Sequence, residues 1–299
     1  MKIIFIFLIL LFLIISITSF FIWREIYLPK DTAFSEKKLF SIERGQSLFQ
    51  IAQNLEKESL IKSRYFFAFY VILSGNARKL KAGDYFLTPS MSIPEIAHKI
   101  ISGDIATITV TIPEGFTVKE IEERLGFKLP GENLEGFLFP DTYIFPAKIS
   151  GEEVVRRMKE NFERKLTPEL REEIKKQGKT IFEIVTMASL IEKEVRKKED
   201  KELVSGILWK RLKEGMPLQV DATITYITGK KTVKIPLEDL KIDSPYNTYK
   251  YLGLPPAPIS NPGLESILAA VYPKSSEYWY YLSTPEGETI FSKTFEEHN

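Results

Sequence analysis

The chain has 299 residues, 44% of them hydrophobic, with 41 basic and 40 acidic side chains and a net charge of +1. That content supports two or three small domains with real cores, and a charge so balanced gives no basic field for nucleic acid. No cysteine and only two histidines exclude cysteine-based zinc sites, disulfides and thiol nucleophiles, and leave too few imidazoles for a histidine-rich metal centre.

Residues 3–23, IIFIFLILLFLIISITSFFIW, carry no charge and as a helix span about 30 Å, the thickness of a bilayer core. No small-residue cleavage site follows, and Trp23 sits where an interfacial aromatic belongs, so the stretch reads as a retained single-pass anchor. Lys2 against Arg24, Lys30, Lys37 and Lys38 leans towards a body on the cytoplasmic side, yet long domains translocate largely regardless of charge. Charge alone leaves the topology open. Residues 24–40 form a polar linker.

From Ser41 the pattern is strand, turn, helix, with Gly45 at the turn, Ser47 as N-cap and Leu48, Ile51, Ala52 and Leu55 on one face. A second helix covers Ser63 to Leu73, a hairpin strand follows Gly83, and Ser92 and Pro94 open a helix closed by Gly103. The run GQSLFQIAQNL resembles the start of LysM modules, small glycan-binding β-α-α-β units. The inserted aromatic helix FFAFYVIL departs from a minimal module, so glycan binding and simple packing stand level. Residues 107–111 read as a strand and 112–125 as a turn and helix capped by Thr117. LEGFLFPDTYIFP, 134–146, reads as a buried connecting loop broken by Pro140 and Pro146, with Asp141 bonding backbone amides.

Residues 151–214 are helical, with Thr167 and Pro168 opening one helix and Gly178 ending it. Within them EIVTMASLIEKEV, 183–195, is almost unbroken apolar from Ile184 to Ile191 and has Thr180 as a cap, which predicts a helix buried nearly all round. Glu192 ends the apolar run and shares a face with Val185, Ala188 and Ser189, and the last two, small and one turn back, leave room above the carboxyl. A carboxyl in so desolvated a setting is expected to be a candidate proton donor. The competing reading is an ion pair with Arg196, four residues on. Glu194 lies about 200° around the helix from Glu192, so the two are not a dyad on one face. The charged run 196–200 is a solvated face.

LQVDATITYITG, 218–229, places Gln219, Asp221, Thr223 and Thr225 at alternate positions, which predicts a strand with one polar side. Residues 244–263, rich in Pro, Gly and Asn with Tyr246, Tyr249 and Tyr251 interleaved, form a long shaped loop. Its tyrosines suit sugar rings as well as they suit a stiffened structural loop. A helix at LESILAAVYP and two closing strands, YWYYL and TIFSK, complete the chain.

The series IPEGFT, LEGFLFPDTY, ASLIEKE, the spacing from Gln219 to Tyr226, SPYNTY, GLPPAPISNPG and TFEEHN together resemble the YceG-like endolytic murein transglycosylases over roughly residues 40–299. The resemblance implies an α+β fold: a transmembrane anchor (1–23), a linker (24–40), a LysM-like α/β subdomain (41–106) and a mixed α+β catalytic domain (107–299) around a buried catalytic helix. It implies an N-terminus in the cytoplasm and a body outside the cytoplasmic membrane. The family's catalytic glutamate falls on Glu192, and substrate-binding positions fall on Ser189, Gln219, Asp221, Thr223, Tyr226, Tyr246, Asn247, Tyr249 and His298. One glutamate would serve as acid and then base, cutting between N-acetylmuramic acid and N-acetylglucosamine and leaving a 1,6-anhydro end. No cofactor and no metal are implied. The partners implied are glycan strands and the cytoplasmic membrane, with peptidoglycan synthases as candidates. The alternatives are a two-carboxylate muramidase with Asp221 as the second carboxyl, and a non-catalytic glycan-binding scaffold.

Overall fold

The computed structural model describes residues 2–34, 36–230, 235–284 and 288–299. The fold is mixed α+β with three two-stranded sheets among the described residues. It divides into two compact units, Met1–Ile108 with Ile144–Lys148, and Thr109–Tyr143 with Ile149–Asn299.

The first unit opens with α1 (Lys2–Tyr27), a helix long and apolar enough to cross a membrane. It continues past Trp23 through Arg24 to Tyr27. Then β1 (Lys38–Ile42), α2 (Leu48–Lys57), α3 (Arg64–Leu73) and β2 (Gly83–Leu87) form a β-α-α-β run, followed by α4 (Ile93–Ser102). The two strands pair antiparallel with Phe40 opposite Tyr85. Ser47 with Gln50 and Ser92 with Glu95 make reciprocal capping boxes, and Gly103 closes α4 in the left-handed conformation that glycine adopts without strain. Phe40, Ile51, Leu55, Phe67, Val71, Tyr85, Ile96 and Ile100 form the core.

The chain passes between the units along β3 (Thr107–Thr111) and β4 (Thr142–Pro146), which pair with each other. Between them lies α5 (Val118–Leu125), capped by Thr117. The strand β4 corrects the loop reading of 134–146. Tyr143 and Phe145 point inward and Thr142 and Ile144 outward, the alternation of a half-buried strand, and Pro146 comes last, where a missing N–H costs least.

The second unit continues with α6 (Gly151–Lys165), α7 (Pro168–Lys176), α8 (Ile181–Glu194) and α9 (Lys198–Lys213). Thr180 and Glu183 cap α8, and every residue from Ile184 to Ile191 is buried. Packed around it are α9, α10 (Asp221–Thr228) and α11 (Leu264–Val271); the unit closes with β5 (Tyr280–Ser283), β6 (Thr289–Ser292) and the short α12 (Phe295–His298).

Within 218–229 the structure forms a helix, Asp221–Thr228, and not a strand. Val220, Thr223 and Ile224 are buried at helical spacing, and Gly229 ends the helix in the left-handed conformation. The β-branched residues that suggested a strand are reconciled with the helix by their hydroxyls: Thr223 donates to the Val220 carbonyl at 2.7 Å and Thr228 to the Ile224 carbonyl at 2.9 Å. Residues 244–263 contain no helix or strand, as their composition predicts.

Candidate active site

The end of α8 carries two carboxylates on different faces, and the second unit treats them differently. Glu192 is locked. Its Oε1 takes a hydrogen bond from Lys201 Nζ at 3.2 Å, and its Oε2 takes bonds from the Gly263 N–H at 2.9 Å and Ser266 Oγ at 2.7 Å. The two charged side chains are only 8% and 3% exposed. The Glu114 carboxyl is packed beside them: a Cβ on Gly263 would lie 1.9 Å from its Oε1, so any larger residue there would have to push the Glu114 side chain aside. Burial first, and then the Glu192 charge, raise the pKa of Glu114.

This arrangement corrects the picture of Glu192 as a lone desolvated acid. The space above it is filled, because Ser189 Oγ donates to the Thr186 carbonyl and accepts from the Ile259 N–H at 3.1 Å, bringing the 244–263 loop onto the helix. An ion pair does form, but with buried Lys201 and not with Arg196. The sequence signal for Lys201 was present: it shares one helical face with Val204, Ser205 and Leu208, all buried. The adjoining charged run concealed it.

Glu194 has the properties that the sequence attached to its neighbour. Burial and the Asp221 charge push its carboxyl from an ordinary 4.5 up to about 7, against hydrogen bonds from Tyr281 and the Ala222 N–H that favour the ionised form. Tyr281 Oη donates to Glu194 Oε2 at 3.0 Å. The Asp221 carboxylate accepts from Tyr249 Oη. Burial, that hydrogen bond and the adjacent carboxylates drive the Tyr249 phenol well above its usual value.

Arg211, 5% exposed, braces this cluster, donating to the Trp279 carbonyl at 2.9 Å and the Leu218 carbonyl at 2.9 Å, and reaching Gln219 Oε1 at 3.5 Å. Gln219 itself has φ of 56°, a left-handed conformation costly for a side chain of its kind and characteristic of functional sites. Gln219 and Asp221 are exposed, so the cluster opens to solvent. His298 is one ring further out, stacked on Tyr280 at 5.2 Å, with Arg211 on the same Tyr280 ring at 5.1 Å.

A further carboxylate joins three of the sequence motifs. Glu135 accepts from the Val118 N–H at 3.1 Å and from Asn261 Nδ2 at 3.1 Å, and burial pushes it up to about 7. Its charge is felt by Tyr226 and Tyr246, whose rings pack 5.1 Å apart.

Of the positions expected to touch substrate, Gln219, Asp221 and Tyr249 gather around Glu194, with Tyr226 and Tyr246 at the other end of α10. Three others are internal struts. Ser189 is fully buried; Thr223 is fully buried against Thr248 Oγ1 at 3.1 Å; Asn247 is fully buried, donating to the Leu240 and Ile242 carbonyls at 2.9 Å each. Their polar atoms are spent on the protein and none is free for a sugar. A separate hollow of about 620 Å³ is lined by Lys179, Phe182, Thr186, Trp209 and Leu254. Its one carboxylate, Glu183, is committed to the Thr180 capping box.

No group of three or more His, Cys, Asp or Glu side chains among the described residues could hold a metal ion. The model for the YceG-like family matches residues 40–299. An endolytic murein transglycosylase of Bacillus subtilis is 34% identical over 297 residues, covering 87% of this chain and 82% of the relative. One from Streptococcus pneumoniae is 31% identical over 326 residues, covering 91% of this chain and 59% of the relative. A crystal structure of a YceG-like protein from Listeria monocytogenes superposes with a TM-score of 0.59 at 33% identity, covering 88% of this chain and 98% of that one. By the length of the family match and the identity to these relatives, the chain is a member of the YceG-like family.

Proposed function

We propose that this chain is a membrane-anchored endolytic murein transglycosylase whose acid–base group is Glu194. The observation that carries the assignment is the setting of that carboxyl: at the end of a buried helix, next to the exposed Asp221, with burial and the Asp221 charge pushing it up to about 7. A general acid works best when its pKa lies near the working pH. Glu192, tied to Lys201, Gly263 and Ser266, is the carboxylate that holds the helix end in place.

Glu194 in its protonated form donates to the glycosidic oxygen between N-acetylmuramic acid and N-acetylglucosamine. As the C–O bond breaks, positive charge develops at the ring, where the neighbouring N-acetyl group and the Asp221 charge favour it. Glu194, now ionised and held by Tyr281 and the Ala222 N–H, takes the proton of the C6 hydroxyl. That oxygen closes the 1,6-anhydro ring. The proton count balances with no water consumed, so one carboxyl suffices where a hydrolase needs two. Tyr226 and Tyr246 offer ring faces to sugars along the strand. Murein lies outside the cytoplasmic membrane, so α1 is oriented with its N-terminus in the cytoplasm.

The test is digestion of uncrosslinked glycan strands by wild type, Glu194→Gln and Glu192→Gln, with products weighed by mass spectrometry. Anhydro ends from wild type and none from folded Glu194→Gln support the reading. Full turnover by Glu194→Gln with loss only in a folded Glu192→Gln returns the role to Glu192. A second reading rests on the electrostatic coupling of Asp221 to Glu194: a two-carboxylate muramidase. It is marked by ends heavier by one water. Purified wild type with no action on strands points to the scaffold reading.

A further inference from the structure

The helix α3, RYFFAFYVIL, is apolar on both sides. Phe67, Ala68 and Val71 face the core of the first unit. Tyr65, Phe69, Ile72 and Leu73 fall on the other face at helical spacing and are 67%, 44%, 53% and 71% exposed. A single exposed apolar side chain is ordinary, but a contiguous row along a whole helix face marks an interaction surface.

The position of α3 in the first unit identifies what covers that face. The Phe66 ring meets the Phe21 ring of α1 edge-on, with centroids 6.1 Å apart. Two residues further along α1, about 3 Å by helical rise, is Trp23, stacked with Phe20 and Tyr27 at 6.1 Å each. Such an aromatic belt marks the boundary between hydrocarbon and water. Just before α3 begins, Lys62 pairs with Glu25 of α1 at 4.0 Å, putting both charges at headgroup depth. The apolar row of α3 therefore lies at the membrane boundary and is continuous with the lipid-facing surface of α1. At 10 residues, about 15 Å, it is too short to cross a bilayer.

We propose that α3 is a second membrane contact, lying in the plane of the lipid interface with Tyr65, Phe69, Ile72 and Leu73 among the upper acyl chains. The occupant of this face is the phospholipid bilayer itself. The proposal rests on the reading that α1 crosses the membrane. It explains why a unit with a β-α-α-β frame carries an aromatic helix in place of a polar one.

The absence of cysteine allows a direct test on the full chain. Phe69→Cys, Leu73→Cys and Phe12→Cys, each labelled with an environment-sensitive fluorophore, are reconstituted into phosphatidylglycerol–phosphatidylethanolamine vesicles. Quenching by aqueous iodide is compared with quenching by lipids carrying a nitroxide near the headgroup, for positions 69 and 73, or at mid-chain, for position 12. These are exposed positions, so labelling does not disturb the core. The expected result is several-fold weaker iodide quenching at positions 69 and 73 than for the same labels on urea-unfolded protein, with clear nitroxide quenching. Labels at 69 and 73 open to iodide while that at 12 is lipid-quenched overturn the proposal and leave the anchor intact. Labels shielded from both quenchers mean that protein covers the face, which also overturns it. A label at 12 open to iodide removes the anchor and the proposal together.

Discussion

Replacing Glu194 by Gln separates its catalytic cost from its structural cost. The amide keeps the shape and can still accept from Tyr281 and the Ala222 N–H, but it cannot give and reclaim a proton. Turnover should fall at least ~10²-fold. Stability should move the other way. The folded state holds this carboxyl at about 7 against an ordinary 4.5, so it favours the protonated form. Its stabilising contribution is full below about pH 4.5 and is lost as pH rises through 7. At about 1.4 kcal/mol per pH unit, the wild type gives up at most about 3.5 kcal/mol over that window, less where water reaches the group. The Gln variant does not titrate there. It should match the wild type near pH 4.5 and exceed it by about 1–3 kcal/mol at pH 8. Glu135 titrates in both proteins and cancels. Guanidinium unfolding of the full chain in micelles, followed by the fluorescence of Trp209 and Trp279, reads the difference at each pH. A stability difference that does not change with pH, or a Gln variant that still cuts glycan strands, would refute the reasoning.

Lys201→Met leaves Glu192 buried without its counter-ion and should cost about 3–5 kcal/mol, most of it recovered when Glu192→Gln is added; chemical denaturation of the single and double variants measures this. Gln219→Gly relieves a φ of 56° and should stabilise by up to about 1 kcal/mol while turnover falls, because the side chain at the mouth of the cluster is gone. Asp221→Asn removes the charge that raises Glu194, so the alkaline limb of the kcat/KM profile should move to lower pH while the anhydro product persists. An unmoved limb would mean that Glu194 is not the group titrating.

Local pattern determined much of this protein. The uncharged run of α1, the caps at Ser47, Ser92, Thr117, Thr167 and Thr180, the buried helix α8 and the irregular 244–263 loop were all legible. Each follows from residues within a turn or two of one another: a hydroxyl before a helix, an apolar period, a cluster of Pro and Gly. The family was legible too, because its motifs are short and local. The helix at 221–228 was not, since alternating threonines satisfy a strand pattern and their hydroxyls bond backward only once tertiary burial of Val220, Thr223 and Ile224 has chosen the helix. The choice between Glu192 and Glu194 lay further out of reach. On α8 they are two residues apart in nearly identical local sequence. What separates them is which distant elements arrive: Lys201 and the Gly263 turn at one, Asp221, Ala222 and Tyr281 at the other. A carboxyl's pKa is set by burial and by charges within a few ångströms, whatever their separation along the chain. The tertiary structure alone supplies those neighbours.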